Sequence, residues 1–380
     1  MRQGGNKHGW NKTVVAGHIC IDITPVFPDR PQPDVGSILT PGKLIHMQGV
    51  NVHTGGAVAN TGLAMKKLGC DVSLMGKVGR DDFGALVLQA LAQYGADQDM
   101  IVDARASTSY SVVLAIPGID RIFLHDSGAN DHFTCTDLDM EKVRRADLFH
   151  FGYPPLMKQF YQDDGRELET LLRTVKEAGV AVSLDLASVD ATSEAGQANW
   201  QRILERALPW VDFFVPSAEE LCFMLDPLRY EDWVRRAAGR DVAEILTPEE
   251  VAPLGERCLQ LGAKVVLIKC GSRGMYYRTA AASDITPLCE KLSLAPSDWA
   301  GICGFEKSFK PDAVRSGTGA GDTSIAAFLT AVLNGESLHS AVALAAAAGA
   351  CCVSAYDALS GLEQLDALKA RIAQGWEKNP

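Results

Sequence analysis

Residues 316–335, SGTGAGDTSIAAFLTAVLNG, place a cluster of glycines and one carboxylate at the start of an apolar run. Apolar side chains recur after Gly321 at the i, i+3, i+4, i+7 spacing of a helix with one buried face. This predicts that Gly319, Ala320 and Gly321 lie at a helix N-terminus, where unpaired backbone N–H groups and the helix dipole can bind an anion such as a phosphate. Asp322 then either caps the helix or has a functional role beside the bound anion. No Lys-Ser or Lys-Thr pair follows the glycines as in a P-loop, and the GxGxxG spacing of dinucleotide-binding loops is not matched.

A second set of polar residues lies earlier in the chain. Asp22 closes the β-branched run TVVAGHICID, which we interpret as one strand, and open α/β sheets bind ligands beyond the C-terminal ends of their strands. Gly55 and Gly56 permit close approach of a ligand, and Asn60 lies one turn into the helix that follows. Structural roles are the alternatives: Asp22 as a capping or surface acid, and Asn60 as a buried amide satisfied by backbone.

The elements that must position these residues alternate between strand and helix. Short apolar runs such as VAVSLDLAS and VVLIKCG alternate with helical patterns such as ELETLLRTVKEAG, which predicts an α/β fold with a mostly parallel sheet and helices on both faces. Residues 35–54 and 109–128 interrupt this alternation with the pattern of antiparallel strands, and Pro117-Gly118-Ile119-Asp120 is a natural hairpin turn. We expect one domain over residues 1–380 with a small antiparallel lid from these two pieces. Residues 226–253 are charged and predicted to be helical, whereas residues 281–314 receive no assignment.

Composition narrows the functional classes. The net charge of −11 argues against a nucleic-acid surface, and no apolar run approaches the roughly 18 residues of a membrane-spanning helix. The N-terminal segment lacks the apolar stretch of a signal peptide. Ten cysteines without CxxC pairs and eight histidines without metal-ligand spacing indicate reduced thiols in a cytoplasmic protein and give no support to a zinc site.

Six ordered motifs resemble the ribokinase-like (PfkB) carbohydrate kinases over nearly the whole chain. SGTGAGDTSIAAFL is similar to that family's C-terminal D-T-x-G-A-G-D signature, and GGAVANTGLAMKKLG is similar to its paired glycine before N-x-A/G. Four further segments also occur in the family's order along the chain: the strand that ends in Asp22, GKVGRDDFG, GAN at residues 128–130, and VVLIKCGSRG. The resemblance implies a ribokinase-like fold and an ATP-dependent sugar kinase. A nucleoside kinase of the same superfamily and a non-catalytic sugar or nucleotide sensor are the alternatives.

The resemblance also implies roles for individual residues. It makes Asp322 the general base and the N–H groups of residues 319–321 an anion hole that needs no lysine. It implies that a sugar is bound by Asp22, Gly55, Gly56, Asn60, Arg121 and Asn130. It implies that ATP is bound by Lys269, Gly271, Gly274, Thr318, Gly319 and Gly321, and that Glu220 contacts Mg²⁺ through water. A monovalent cation such as K⁺ and a homodimer formed through the lid are further implications.

Two positions depart from the family pattern. The glycine loop begins with Ser316-Gly317 instead of Asp-Thr, and the N-x-x-E element reads Ser217-Ala218-Glu219-Glu220. We expect these changes to bear on metal and nucleotide binding while leaving the reaction class unchanged.

Overall fold

A computed structural model describes residues 11–30, 34–119 and 121–379. Its central sheet has eight strands in the order β14-β13-β12-β11-β10-β9-β1-β4, in which β13 is antiparallel to both of its neighbours and all other pairs are parallel. The bounds of these strands are β1 Lys12–Gly17, β4 Asp71–Met75, β9 Leu148–Gly152, β10 Ala181–Leu184, β11 Phe213–Phe214, β12 Val265–Lys269, β13 Gly274–Thr279 and β14 Cys303–Lys307. Helices cover both faces of the sheet, so the central strands β9, β10 and β11 are buried along their whole length. The predicted three-layer α/β architecture is confirmed.

The helices divide between two apolar clusters, one on each face of the sheet. On one face lie α1 Ala57–Lys67, α2 Asp82–Ala92, α10 Ala282–Leu292, α11 Ala320–Leu333, α12 Leu338–Cys352 and α13 Leu365–Ala373. On the other lie α3 Met140–Arg144, α4 Lys158–Tyr161, α5 Arg166–Glu177, α6 Trp200–Ala207, α7 Ala218–Leu225, α8 Pro227–Ala237 and α9 Pro248–Gln260. No helix within residues 11–30, 34–119 and 121–379 has the length and apolarity required to cross a bilayer.

A four-stranded lid sheet stands beside the main sheet, in the order β3-β2-β7-β8. It consists of β2 Cys20–Pro25, β3 Val50–Gly55, β7 Tyr110–Leu114 and β8 Ile122–Asp126. The β2–β7 pair is parallel and the other two pairs are antiparallel, so the lid is mixed instead of purely antiparallel. The predicted hairpin turn joins β7 to β8 through Pro117, Gly118 and Ile119, and its fourth residue, Asp120, lies outside the described residues.

The lid corrects the interpretation of the first strand. The run from Thr13 to Asp22 is two strands: β1 ends at Gly17 and joins the main sheet, whereas β2 begins at Cys20 and joins the lid. Gly17 makes the break possible because its φ is 128° and a Cβ there would lie 2.2 Å from the Gly152 carbonyl oxygen. Asp22 therefore lies on a lid strand and not at the C-terminal end of a main-sheet strand.

Other segments differ from or complete the predicted pattern. Residues 35–49 contain only a short 3₁₀ turn at Val35–Ser37 before β3 begins. The segment DVSLMGKVG forms two strands, β4 and β5 Lys77–Gly79, and β5 pairs with β6 Ile101–Asp103 in a separate two-stranded sheet. Residues 226–253 are largely helical as predicted, and residues 281–314 supply α10 and the edge strand β14.

Candidate active site

The carboxylate of Asp322 lies in the first turn of α11 and is 4% exposed. Two side chains of α1 hold it: the Asn60 amide donates to Oδ2 at 3.0 Å, and the Thr61 hydroxyl donates to Oδ1 at 3.2 Å. The capping interpretation is not supported by the geometry, because the N-cap residue is Gly319 and no side chain caps this helix. Asn60, predicted as a sugar ligand, thus uses one amide donor to orient the carboxylate.

Glycine is required at position 319 by conformation and by packing. Gly319 has φ 74°, in the left-handed region, and a Cβ there would lie 2.3 Å from the Cβ of Ala358. This conformation turns the chain into α11, so that the N–H groups of Ala320 and Gly321 belong to its first turn. The Thr323 hydroxyl donates to the Gly319 carbonyl oxygen at 2.8 Å and stabilises the turn from inside the helix.

A lysine lies beside this turn although none follows the glycines in sequence. Lys269, the last residue of β12, places its Nζ 3.7 Å from the position that a Cβ would occupy on Gly321. The same Nζ donates to Asp185 Oδ1 at 2.8 Å. A lysine from a neighbouring strand thus lies beside the turn that is predicted to form the anion hole. Asp185 was not identified from the sequence, although it directly follows β10 at the edge of the sheet where ligands bind.

The buried charges around Lys269 influence one another. Burial raises the pKa of Asp185 to about 8; Lys269 opposes this shift, and Glu220 and Asp322 add to it. Burial disfavours the Lys269 cation, but Asp185, Glu220 and Asp322 together raise its pKa above the ordinary value. Three carboxylates thus lie within electrostatic reach of one ammonium group, which leaves an excess of negative charge at the C-terminal edge of the sheet.

Ser217 and Glu220 form a capping box at the start of α7. The Ser217 hydroxyl accepts from the Glu220 N–H at 3.2 Å, and Glu220 Oε2 accepts from the Ser217 N–H at 2.9 Å. Serine at this position thus caps α7, as an asparagine also could.

No group of three or more potential ligands that could hold a metal ion occurs in the part of the chain that the structure describes.

Four polar residues form one row across the lid. Strand register places His53, Asp22, Ser111 and His125 opposite one another, so that their side chains share a face. The Ser111 hydroxyl lies 3.0 Å from His125 Nδ1, and the row continues to His18, whose ring centroid is 5.1 Å from that of His125.

The paired glycines border this row. A Cβ on Gly55 would lie 2.3 Å from Asp22 Oδ2. Gly56 has φ 83°, and a Cβ there would lie 2.6 Å from His18 Nδ1. Glycine is needed at both positions because the backbone passes directly beside these polar atoms.

The pKa values of Asp22, His18 and His125 are all shifted in the direction that favours the neutral side chain. Burial raises the pKa of Asp22, and hydrogen bonds from Cys20 and Ser111 partly offset this effect. Burial, followed by the charge of His125, holds the pKa of His18 well below its ordinary value. Burial also lowers the pKa of His125. At neutral pH both imidazoles are uncharged and can each donate and accept hydrogen bonds.

Arg121 connects the lid to the glycine loop. Its Nη1 donates to Thr318 Oγ1 at 2.6 Å, and its Nη2 lies 3.2 Å from the position of a Cβ on Gly317. The Ser316 hydroxyl accepts from the Thr318 N–H at 3.1 Å, so the serine that departs from the family pattern still supports the loop. The structure therefore places Arg121 on the side of the predicted phosphate-binding loop.

Asn130 and Gly274, which are predicted to bind sugar and ATP, both contact backbone groups in this structure. Asn130 is fully buried, accepts from the Ile19 N–H at 3.1 Å, and donates to the carbonyl oxygens of Ile19 at 2.9 Å and Ser127 at 3.0 Å. Backbone groups therefore pair with its amide, and these hydrogen bonds fix the link between β1 and β2. Gly274 packs against β14, because a Cβ there would lie 2.0 Å from the Glu306 carbonyl oxygen. Gly271, with φ 54°, forms the turn between β12 and β13.

One further residue at the site has no counterpart among the sequence predictions. The Tyr153 phenol lies 2.8 Å from Oδ1 and 2.9 Å from Oδ2 of Asp322. Tyr153 directly follows β9, so the position of a polar residue at the C-terminal end of a strand was the signal that could have identified it.

Comparison with solved structures identifies the fold. The structure of Arabidopsis thaliana ribokinase complexed with ribose and ATP superimposes with a TM-score of 0.69 at 23% identity, covering 95% of this chain and 98% of that one. An Escherichia coli protein described as a ribokinase II, in complex with ATP and Mg²⁺, gives a TM-score of 0.69 at 21% identity, with 96% and 99% coverage. The predicted ribokinase-like fold is confirmed.

The sequence comparisons identify the family. Residues 11–365 match the family model described as pfkB family carbohydrate kinase, and the chain belongs to that family. Fructokinase-2 from Zea mays is 25% identical over 381 residues, covering 96% of this chain and 95% of its own length. The prediction of a sugar kinase is confirmed at the level of the family.

Proposed function

We propose that the protein transfers the γ-phosphoryl group of ATP to a hydroxyl of a small neutral sugar, with Asp322 as the general base. The observation that carries this proposal is the buried Asp322 carboxylate, held by Asn60 and Thr61 in the first turn of α11. A proton acceptor and an anion-binding site thus adjoin one another, as in-line phosphoryl transfer requires.

In this reaction the oxygen of the sugar hydroxyl forms a bond to the γ-phosphorus while the bond from that phosphorus to the β–γ bridging oxygen breaks. The hydroxyl proton passes to Asp322, and ADP leaves with the electron pair of the broken bond. The N–H groups of the first turn of α11 donate to the oxygens of the transferring group, and the Lys269 ammonium adds positive charge beside Gly321. Arg121 approaches the same loop from the lid.

The lid row supports a neutral polyhydroxyl acceptor. Asp22 accepts hydrogen bonds, whereas Ser111 and the uncharged His18 and His125 can each donate and accept, a combination that suits hydroxyl groups on a rigid surface. Gly55 and Gly56 let the ligand approach the backbone. Relatives named as a fructokinase and a ribokinase complexed with ribose support a hexose or pentose as the acceptor.

The residues present fit ATP with Mg²⁺. Mg²⁺ usually keeps several waters and binds one or two carboxylates together with substrate phosphates, so it does not need a cage of protein ligands. Glu220 and Asp185 are the carboxylates that would hold it, because both lie within electrostatic reach of Lys269 beside the glycine turn. When bound, the ion would neutralise charge on the ATP phosphates. The ATP and Mg²⁺ complexes of ribokinase-fold proteins support this assignment.

A homodimer through the lid is the second part of the proposal. The face opposite Asp22 carries an apolar row, Val52, Ile23, Val112 and Leu124, and Val52 and Leu124 are 44% and 54% exposed. A second copy covering this row would remove apolar surface from water. Light scattering on the wild type and on Leu124→Lys tests it: a wild-type monomer would contradict this part.

A panel of pentoses, hexoses, polyols and nucleosides tests the proposed function. We expect ADP release that depends on at least one pentose or hexose, together with thermal stabilisation by that sugar, because a ligand that binds the native state raises its stability. ADP release with nucleosides alone would instead identify a nucleoside kinase. Stabilisation without turnover by any member of the panel would identify a non-catalytic sensor.

A further inference from the structure

Tyr153 places an O–H donor where the proposed reaction needs the acceptor hydroxyl. A hydroxyl that gives its proton to Asp322 must come within roughly 2.6–3.2 Å of the carboxylate. The Tyr153 phenol is already 2.8 and 2.9 Å from the two carboxylate oxygens. Asn60 and Thr61 each donate to one of the same two oxygens, and the phenol lies within reach of both; its place is here named the acceptor position.

The backbone and the surroundings of Tyr153 hold the phenol in this place. Tyr153 has φ 67° and ψ 42°, a left-handed conformation that is uncommon for a non-glycine residue and that recurs at functional sites. Pro154 and Pro155 follow it and have fixed φ angles, which limits relaxation of this strained residue. The ring lies beside His18, with a centroid distance of 6.0 Å.

The phenol remains a proton donor throughout the physiological range. Burial, followed by the charges of Asp322 and Asp185, raises the pKa of Tyr153 well above its ordinary value. A neutral phenol can therefore occupy the acceptor position as a hydrogen-bond donor to the Asp322 carboxylate.

We propose that Tyr153 is a positioning residue that occupies the acceptor position at Asp322 when no sugar is bound, and thereby prevents water from using this base to attack ATP. This inference rests on the proposed function. A sugar that binds the lid row displaces the phenol, because its several hydrogen bonds replace the one that Tyr153 loses. A single water has no such contacts and competes poorly with the phenol.

The side reaction that Tyr153 prevents is ATP hydrolysis. A water oxygen would form a bond to the γ-phosphorus, the bond to the β–γ bridging oxygen would break, and a water proton would pass to Asp322. The products would be ADP and phosphate. Without the Tyr153 hydroxyl, a water molecule is the donor small enough to enter the acceptor position and bind the carboxylate.

The test is the rate of ATP hydrolysis with Mg²⁺ and without sugar. We expect Tyr153→Phe to hydrolyse ATP about tenfold or more faster than the wild type, the factor for loss of one hydrogen bond to a charged group. Tyr230→Phe is the matched control, because Tyr230 is a partly buried tyrosine on α8 that packs against Phe223. The double variant Tyr153→Phe/Asp322→Asn should return to the wild-type rate, since the added hydrolysis runs through Asp322.

The other outcomes overturn the inference. It is wrong if Tyr153→Phe hydrolyses ATP at the wild-type rate, or if the faster hydrolysis persists in the double variant. Thermal unfolding checks that the variant is folded, and Tyr153→Met supplies a second variant without the hydroxyl. The proposed function is tested separately by the sugar-dependent rate of the wild type. Absence of that rate rejects the kinase assignment, whereas unchanged sugar-free hydrolysis in Tyr153→Phe rejects only the role of Tyr153.

Discussion

Replacement of Gly319 by alanine tests whether the turn into α11 is as constrained as the structure indicates. Alanine at φ 74° carries a left-handed backbone cost of about 1–2 kcal/mol. Its Cβ would also lie 2.3 Å from the Cβ of Ala358, an overlap that typically costs about 1–3 kcal/mol to relieve. We therefore expect Gly319→Ala to lower the free energy of unfolding by about 2–5 kcal/mol. It should also reduce kcat, because the N–H groups of the first turn move.

Two further variants separate these contributions. Gly335 follows the C-terminus of the same helix with φ 78°, but a Cβ there meets nothing within 4 Å. Gly335→Ala should therefore show only the backbone cost of about 1–2 kcal/mol. Ala358→Gly removes the overlapping methyl group, so it should recover part of the loss when combined with Gly319→Ala.

Urea unfolding of the four variants and the wild type gives these free energies. The packing argument fails if Gly319→Ala costs no more than Gly335→Ala. It also fails if Gly319→Ala costs the same with and without Ala358→Gly. Retention of wild-type kcat by Gly319→Ala would refute the assignment of this turn as the anion hole.

Two other substitutions test residues beneath the site. Asn130→Ala leaves the Ile19 N–H and C=O without their buried partner, so urea unfolding should show that the free energy of unfolding falls by about 2–4 kcal/mol, with the KM for sugar unchanged. A large rise in KM at unchanged stability would instead support the predicted role of Asn130 in sugar binding. Burial, followed by Lys269, lowers the pKa of His150 from its ordinary 6.5 to about 3, so the unfolded chain takes up a proton between these values and the native state does not. Stability should therefore fall as pH falls, by about 2 kcal/mol from this residue between pH 7.5 and pH 5, and His150→Gln should reduce the fall by that amount; an equal fall in both proteins would contradict the assignment.

The fold was largely predictable because its signals are local. Most main-sheet strands are short runs rich in apolar residues that are followed by a helical pattern or a turn, whereas the edge strand β14, with the sequence CGFEK, shows no such pattern. The break between β1 and β2 was not predictable, because β-branched residues continue across it and only the backbone of Gly17 shows the change of direction.

The site was predictable only in part. Asp322 could be found because the glycines and the helix that position it are its neighbours in sequence. Asp185 and Tyr153 reach the same place from other strands, and their partners Lys269 and Asp322 are distant in sequence. The sequence also does not show that the backbone of Ile19 pairs with the amide of Asn130, which is predicted to bind sugar.

The most direct test of the central claim is the sugar-dependent rate of ADP release by Asp322→Asn. The amide keeps the shape of the carboxylate but cannot take up the acceptor proton, so we expect kcat to fall at least about 100-fold. The KM for ATP should change little, because the substitution leaves the nucleotide contacts in place. Asp284→Asn is the matched control, since Asp284 lies in the first turn of α10 and is exposed. A near wild-type rate for Asp322→Asn would contradict the assignment of Asp322 as the base.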